Sequence, residues 1–441
     1  MDSISIENGV ALALTSMLNE RLALLAGAGL SMAPPSSLPS AAALAQTAKH
    51  RYDAMYGAGA PPIPVGIDDQ AEHFFKRHEL ASVYFRTLVD QHAFAGPPNV
   101  GHSAVADLLL VNAIQTAVTT NVDTLIETAG HYLYGQVGVG IDGHAVAGLS
   151  PGVAPLLKIH GCRACDPSNM VWARGQLAVE PVATRVAQSA QWLSVRLLDR
   201  DLLVVGFWTD WSYLNEVLAA TLNGVNPSRV VVVDPAAAAV LPHKAPALFA
   251  LGNRAANGFH HIQASGADFL AELRLAFSRS FIRQVLHGGA LDYSDRHGEA
   301  PNAAWTEPPA ADNETLWQLR RDLEGRVPNE PAKQLRPSAD GLVGQTLLEL
   351  QARGATSDGL YWNLGGQKVR VLRAGRPLHR VQKDFERETA PAIAPDVIIA
   401  VGAEAQALPT DIARASSSST VARGSPSRWL TRPDAVQEFN L

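Results

Sequence analysis

A chain of 441 residues with 47% hydrophobic and 18% charged side chains is long enough for more than one packed core and has a globular composition, not a disordered or fibrous one. A net charge of −6 argues against indiscriminate nucleic-acid binding, and no unbroken apolar run is long enough to span a bilayer. Cys162 and Cys165 are too few for a disulfide framework, and the acidic first residues lack the basic region of a secretory signal, so a reducing cytoplasm is expected.

In chain order, Val10, Leu12, Leu14 and Leu18 suggest a short helix over 8–20. An apolar run over 22–26 follows as the first strand and ends in Gly27-Ala28-Gly29-Leu30-Ser31. Glycines there permit a tight turn and close approach of a ligand to the backbone, and N–H groups opening the next helix can face a pyrophosphate. The same glycines also suit a strand end that holds no ligand. The Pro- and Ser-rich stretch 32–39 reads as a loop over the pocket mouth. Helices are expected over 41–55 and 68–88, with Phe74, Phe75 and Tyr84 as ordinary core of a helical insertion. Gly101-His102-Ser103 precedes another helix over 104–112.

Further strand-like runs occupy 117–121, 156–159, 202–206 and 230–235, and helical segments over 188–199, 211–222 and 267–279 separate most of the strands. Such alternation predicts an α/β fold with a doubly wound, Rossmann-like parallel sheet. From 291 to 337 prolines and acids dominate, with one helix over 314–324. The expected organisation is therefore a sheet domain at 1–288, a linker or arm at 289–337, and a smaller α+β domain at 338–441 for a partner or for oligomerisation. Within the last, helix 342–351 and strands 369–372 and 396–401 are expected, and Ser416 to Ser419 reads as a mobile loop.

In open α/β sheets, ligands bind outside the carboxyl ends of the strands. Successive strand ends carry the Gly27-to-Ser31 turn, Thr120-Asn121-Val122-Asp123, His160-Gly161, Gly206-Phe207 and Asp234, so the topology predicts one shared crevice. Each piece has a structural use as well. Asn121 and Asp123 suit a helix start, a single histidine often only hydrogen-bonds, and Asp234-Pro235 is a common strand exit. Their joint occurrence in this order is the informative feature.

That set, over about residues 15–285, resembles the sirtuin family: Gly27-Ala28-Gly29-Leu30-Ser31, Thr119-Thr120-Asn121-Val122-Asp123, Ile159-His160-Gly161 and Gly206-Phe207-Trp208-Thr209. Departures are clear too. Met32-Ala33-Pro34-Pro35 stands where protein-deacylating sirtuins carry Phe-Arg, Gly206-Phe207-Trp208 lacks the usual Ser, and Cys162 with Cys165 forms one CxxC pair with no second. Two thiolates beside His160 do not complete a tetrahedral zinc site, so no metal is expected. With Asp166-Pro167-Ser168-Asn169 after the His-Gly pair and Asp210 after the fourth strand, the chain is similar to divergent sirtuin-like domains of bacterial antiphage defence proteins.

The resemblance implies that NAD+ is the substrate, hydrolysed to nicotinamide and ADP-ribose as an abortive-infection response. It implies His160 as general base, Asn121 positioning water or ribose hydroxyls, and Asp123 accepting from the carboxamide. Gly27, Ala28, Gly29 and Ser31 would hold the pyrophosphate, Thr120 and Gly206 would border the cofactor, and Asp234 would bind the adenosine ribose. It further implies a homo-oligomer and a HerA-type ATPase partner, or a short Argonaute, for which the tail is short. Nucleic acid would enter indirectly. The basic run Lys368, Arg370, Arg373, Arg376, Arg380, Lys383 and Arg387 reads as a solvated face or as a contact for an acidic partner. A protein deacylase, and an NAD+- or ADP-ribose-binding regulatory subunit without catalysis, are the alternatives.

Overall fold

The computed structural model describes residues 1–57, 59–207, 212–325, 330–387, 394–404 and 427–441. The chain forms two compact units, Met1–Leu273 and Arg274–Leu441.

Eight strands build the first unit: β1 (Asp2–Ser3), β2 (Leu22–Ala26), β3 (Thr116–Thr119), β4 (Gly138–Gly140), β5 (Pro155–Lys158), β6 (Asp201–Val205), β7 (Arg229–Asp234) and β8 (Phe259–Gln263). They pair in the order β1-β8-β7-β6-β2-β3-β5-β4. Every pairing is parallel. This is the expected doubly wound α/β sheet. All five residues of β2 and of β6 are buried, as near-continuous Leu, Val and Ala runs require when helices cover both faces. From β2 the chain passes to β3, out to the edge strand β4 and back to β5 between them, then crosses to β6 on the other side of β2, so the strand order reverses at β2.

Register brings the strand ends level. Ala26 pairs with Thr119 and with Val205, Thr119 with Lys158, and Val205 with Val233. The next residues along the chain, at Gly27, Thr120, Gly206 and Asp234, therefore lie along one edge, with His160 two positions beyond Lys158.

An insertion between β2 and β3 contains the helices Ala41–Tyr56 and Ile67–Lys76, a π-helical stretch Leu80–Leu88 and a 3-10 turn Gln91–Phe94. The single helix expected over 68–88 is thus two pieces. The first ends at Lys76, and His78 takes a left-handed φ of 60°, which reverses the chain. Both pieces still present their aromatics to a shared core, where Phe74 and Tyr84 stack with centroids 5.2 Å apart.

The second unit carries a five-stranded sheet of β9 (Thr356–Ser357), β10 (Trp362–Leu364), β11 (Gln367–Arg373), β12 (Val397–Val401) and β13 (Arg428–Thr431), ordered β13-β12-β11-β10-β9. β11, β12 and β13 are parallel, and β9, β10 and β11 are antiparallel. Within 289–337, expected to be a linker or arm, the helix Asn313–Glu324 buries Leu316, Leu319 and Leu323 in this unit's core. The same helix supplies Asp322, which takes two hydrogen bonds from Arg370 of β11, at 2.7 and 3.1 Å, with both side chains buried.

Arg370 belongs to the basic run read from the sequence, and other members are also paired internally. Arg373 bonds Asp340, Arg376 bonds Asp384, and Arg387 lies 3.8 Å from Asp384. Trp208, Thr209, Asp210 and Ser416 to Ser419 lie outside the described residues.

Candidate functional site

Two strand-to-helix turns meet backbone to backbone at the sheet's carboxyl edge. A Cβ on Gly27 would lie 2.6 Å from the Gly206 carbonyl oxygen, and one on Gly29 would lie 2.8 Å from it. Gly206 itself has φ +59°, and a Cβ there would lie 2.4 Å from the Leu30 nitrogen. The glycines of both turns are therefore required by packing, independently of any ligand. Internal hydrogen bonds take the N–H groups of Gly27, Gly29, Leu30 and Ser31. Among the described residues, this leaves Ala28, in the pocket wall, as the turn's amide without a protein acceptor. The helix that follows is only Gly29–Met32, so the expected row of N–H groups facing a phosphate narrows to one.

Beside this turn opens a cavity of about 690 Å³, including its mouth. Ala28, Ser31, Thr120, Asn121, Asp123 and His160 form its polar side. The opposite wall is apolar and comes from the helical insertion and from Trp172: Leu38, Leu44, Ile67 and Phe94. Trp172 meets Phe85 and Phe94 edge-on, with centroids 5.3 and 5.8 Å away. Gly27, Gly29 and Gly206 stand behind the pocket, and Asp234 is not in its wall. β6 separates Asp234's strand from β2, and Asp234 Oδ1 accepts the Ala236 N–H at 2.9 Å. Burial pushes its carboxyl up to about 6, against the lowering influence of that N–H and of Lys244.

Ser31 is the centre of a buried polar network. The Asn99 N–H donates to His102 Nδ1 at 3.1 Å, which places the imidazole proton on Nε2. Nε2 then donates to Ser31 Oγ at 3.1 Å, and Asn121 Nδ2 donates to the same oxygen at 3.0 Å. Ser31 in turn donates to Asp123 Oδ2 at 2.9 Å. The other Asp123 oxygen accepts the Leu125 N–H at 3.1 Å and starts the next helix. His102 is wholly buried, and that burial lowers its pKa to about 4, so the ring is neutral near pH 7. Ser, His and Asp meet here without forming a nucleophilic triad: a protonated Nε2 cannot accept the serine proton, and the aspartate bonds the serine rather than the histidine.

His160 sits at the end of β5, 6% exposed. Gly161, with φ +86°, turns the chain away, and the His160 carbonyl accepts the Val171 N–H at 2.9 Å as the loop returns. Burial lowers the His160 pKa to about 3, Arg185 contributes in the same direction, and a hydrogen bond to the Thr120 backbone opposes both. That bond raises the pKa because the ring donates it, yet burial dominates, so the ring is neutral at pH 7 and only weakly basic. Beneath the loop, Arg185 Nη1 donates to the Asn169 carbonyl at 2.8 Å. Lys158, 1% exposed, pairs with Glu127 at 2.7 Å and also donates to the Asp123 carbonyl, so it clamps the Asn121–Asp123 turn from below. Burial opposes its charge, but Glu127 and its neighbours outweigh this and raise its pKa.

Cys162 is buried and Cys165 exposed. Burial and a hydrogen bond with Cys162 push the Cys165 thiol up, away from reactive thiolate character. Among the described residues, no group of three or more His, Cys, Asp or Glu side chains is placed to hold a metal.

The pocket thus gathers Ala28, Ser31, Thr120, Asn121, Asp123 and His160 of the residues read from the sequence. It adds Asn99 and His102 behind Ser31, and the apolar wall, none of which the strand-end motifs pointed to. Asn99 caps the helix Val100–Leu110, with His102 at its third position. An Asn-x-x-His pair at a helix start was the available signal.

The doubly wound sheet with a polar crevice at its carboxyl edge defines an α/β protein with a candidate small-molecule site. No family model and no curated protein matches the chain. Among solved structures, the chain is similar to a Sir2 homologue in complex with NAD, at 15% identity and a TM-score of 0.35, over 62% of this chain and 96% of that one. It is similar to a Sir2 homologue mutant in complex with ADP-ribose at 14% identity and a TM-score of 0.32, over 60% and 96%. A structure on the basis of sirtuin substrate affinity also matches, at 14% identity and a TM-score of 0.32, over 62% and 98%.

Proposed function

We propose that this chain is a sirtuin-like NAD+ hydrolase that releases nicotinamide and ADP-ribose. The observation that carries the proposal is the convergence of Ser31, Asn121, Asp123 and His160 on one half-apolar pocket at the point where the strand order reverses. Cleavage of the nicotinamide–ribose bond passes through an oxocarbenium-like state. Water attacks the ribose carbon, nicotinamide leaves with the bonding electron pair, and one proton is released. His160, neutral at working pH, is the pocket's candidate to take that proton as the oxocarbenium-like state makes the attacking water acidic; burial, which holds its pKa near 3, makes the ring a weak base. Asn121 presents a carboxamide oxygen that orients the water or a ribose hydroxyl. Asp123 uses one acceptor position per oxygen for Ser31 and Leu125, which leaves lone pairs for the nicotinamide carboxamide. Ala28 offers its N–H to a phosphate oxygen and Thr120 borders the cofactor, while Gly206 supports the turn from behind, and Asp234, outside the pocket wall, serves a distal ribose only if the cofactor extends beyond it.

A deacylase reading is favoured by one observation, the apolar wall of Leu38, Leu44, Ile67 and Phe94, which suits an acyl group. Its test is NAD+ consumption with and without an acyl-lysine peptide, following nicotinamide, ADP-ribose and acylated ADP-ribose beside His160→Ala and Asn121→Ala. Peptide-independent ADP-ribose, lost in both variants, is the expected result. Turnover only with peptide favours the deacylase, and NAD+ that binds but stays intact favours a regulatory subunit.

We place the hydrolase in an antiphage setting, as a homo-oligomer with a partner ATPase. The support is the likeness of Asp166-Pro167-Ser168-Asn169 and of the stretch after Gly206 to defence proteins. No helix among the described residues is long and apolar enough to cross a membrane, and a cytoplasmic site belongs to the same proposal. Co-expression with a hexameric ATPase should give one complex on size exclusion. Separate elution counts against the partnership.

A further inference from the structure

We infer that His102 is a positioning residue, which dictates which end of the Asn121 amide faces the pocket. Neither oxygen nor nitrogen of an asparagine amide is favoured a priori, because the two ends have the same shape. Here the choice is forced by counting protons. Ser31 Oγ has one proton and two acceptor positions. The proton goes to Asp123 Oδ2, an acceptor that the ionised carboxylate cannot exchange for a donor. His102 Nε2 donates into one acceptor position. The remaining position accepts only a donor, so Asn121 must present Nδ2 to Ser31. Its Oδ1 is then turned the other way. That oxygen is buried and has no hydrogen-bond partner among the described residues, while Asn121 lines the pocket at 7% exposure. A buried acceptor without a partner is costly, so the pocket demands a ligand or water that brings a hydrogen-bond donor to this point. His102 in turn is held in the required tautomer by the Asn99 N–H on its other nitrogen.

The inference rests on the NAD+ reading for its kinetic arm only. Two substitutions separate His102's two bonds. His102→Asn keeps an acceptor near the position of Nδ1 for the Asn99 N–H but loses the donor to Ser31. His102→Gln keeps a donor near the position of Nε2 but loses the acceptor. If His102 positions Asn121, His102→Asn lowers kcat/KM for NAD+ roughly 10- to 100-fold, mostly in kcat, and the conservative His102→Gln restores much of it. The melting temperatures should follow the opposite order, because only His102→Gln loses the helix-start bond. Turnover that instead tracks melting temperature overturns the inference. A wild-type chain that turns over no NAD+ defeats the hydrolase reading alone, and spectra then decide this one. Nitrogen-15 histidine spectra should show His102 neutral and protonated on Nε2 between about pH 5 and 8. The Asn121 side-chain amide signal, assigned with Asn121→Ala, should move more in His102→Asn than in His102→Gln. A proton on Nδ1, or an Asn121 signal indifferent to both variants, also overturns it.

Discussion

His102 and His160 are held neutral by burial, with pKa values near 4 and 3 against about 6.5 in an unfolded chain. Below pH 6.5 the unfolded state therefore binds more protons than the folded one. Stability is fully present above that value and is lost as pH falls toward the folded pKa values, at about 1.4 kcal/mol per pH unit for each histidine. Thermal melts from pH 7 to pH 4 should show a steep fall, and His102→Gln should make it shallower. A flat profile would contradict the buried neutral state. Activity behaves differently: His160 stays a base throughout, so kcat/KM should lack a limb near pH 6.5. Asp234 has the opposite sign. Its carboxyl is pushed up to about 6, so its contribution is present below about pH 4 and is lost as pH rises through 6. Asp234→Asn keeps the acceptor for the Ala236 N–H and should stabilise the protein at pH 8, on the order of 2 kcal/mol, with almost no effect at pH 4. Equal gains at both values would rule out the ionisation argument.

At the scale of elements, the two glycine turns hold the crevice together. Gly206→Ala would place a methyl group 2.4 Å from the Leu30 nitrogen in a left-handed conformation, so roughly 2–4 kcal/mol should be lost. Denaturant melts measure that loss. A change under about 1 kcal/mol would mean that the turns can separate cheaply. The central strands were legible in the sequence because strands covered on both faces must be apolar along their middle, as β2 is throughout and β6 and β7 are apart from their charged ends. β1 and β4 were not, since two or three residues carry no pattern, and the histidines of β8 interrupt its apolar run. The strand-end motifs were legible for the same reason as the sheet: the topology levels them. The network behind Ser31 was not. It joins residues 31, 99, 102, 121 and 123 through side-chain directions that only the folded chain fixes.

Across the whole molecule, each unit buries paired charge as well as apolar surface. Besides its apolar strands the first buries the ion pair of Lys158 with Glu127, and the core of the second encloses Asp322 with Arg370 and Glu349 with Arg432. Removing one partner leaves the other charge uncompensated, so Asp322→Ala should cost about 3–5 kcal/mol, whereas the paired change Asp322→Leu with Arg370→Met should cost far less. Calorimetry of both variants distinguishes this from simple loss of packing, which predicts the larger penalty for the pair. The internal pairing of Arg370, Arg373 and Arg376 also neutralises three of the seven basic residues of the sequence run, by acids that come from distant or following segments.

The hydrogen bonds behind the pocket all point one way, from Asn99 through His102 and Ser31 to Asp123, and end on an anion. Such a chain is a rectifier without a return path: each link already holds its proton at the donor end, and none can pass inward until the last has been accepted. Because it begins at a backbone amide, which does not give up its proton, this chain fixes donors and acceptors without relaying a proton. On the hydrolase reading, a proton released in the cavity is therefore taken up at the pocket face, where His160 and Asp123 stand in the wall, and not by the network behind Ser31.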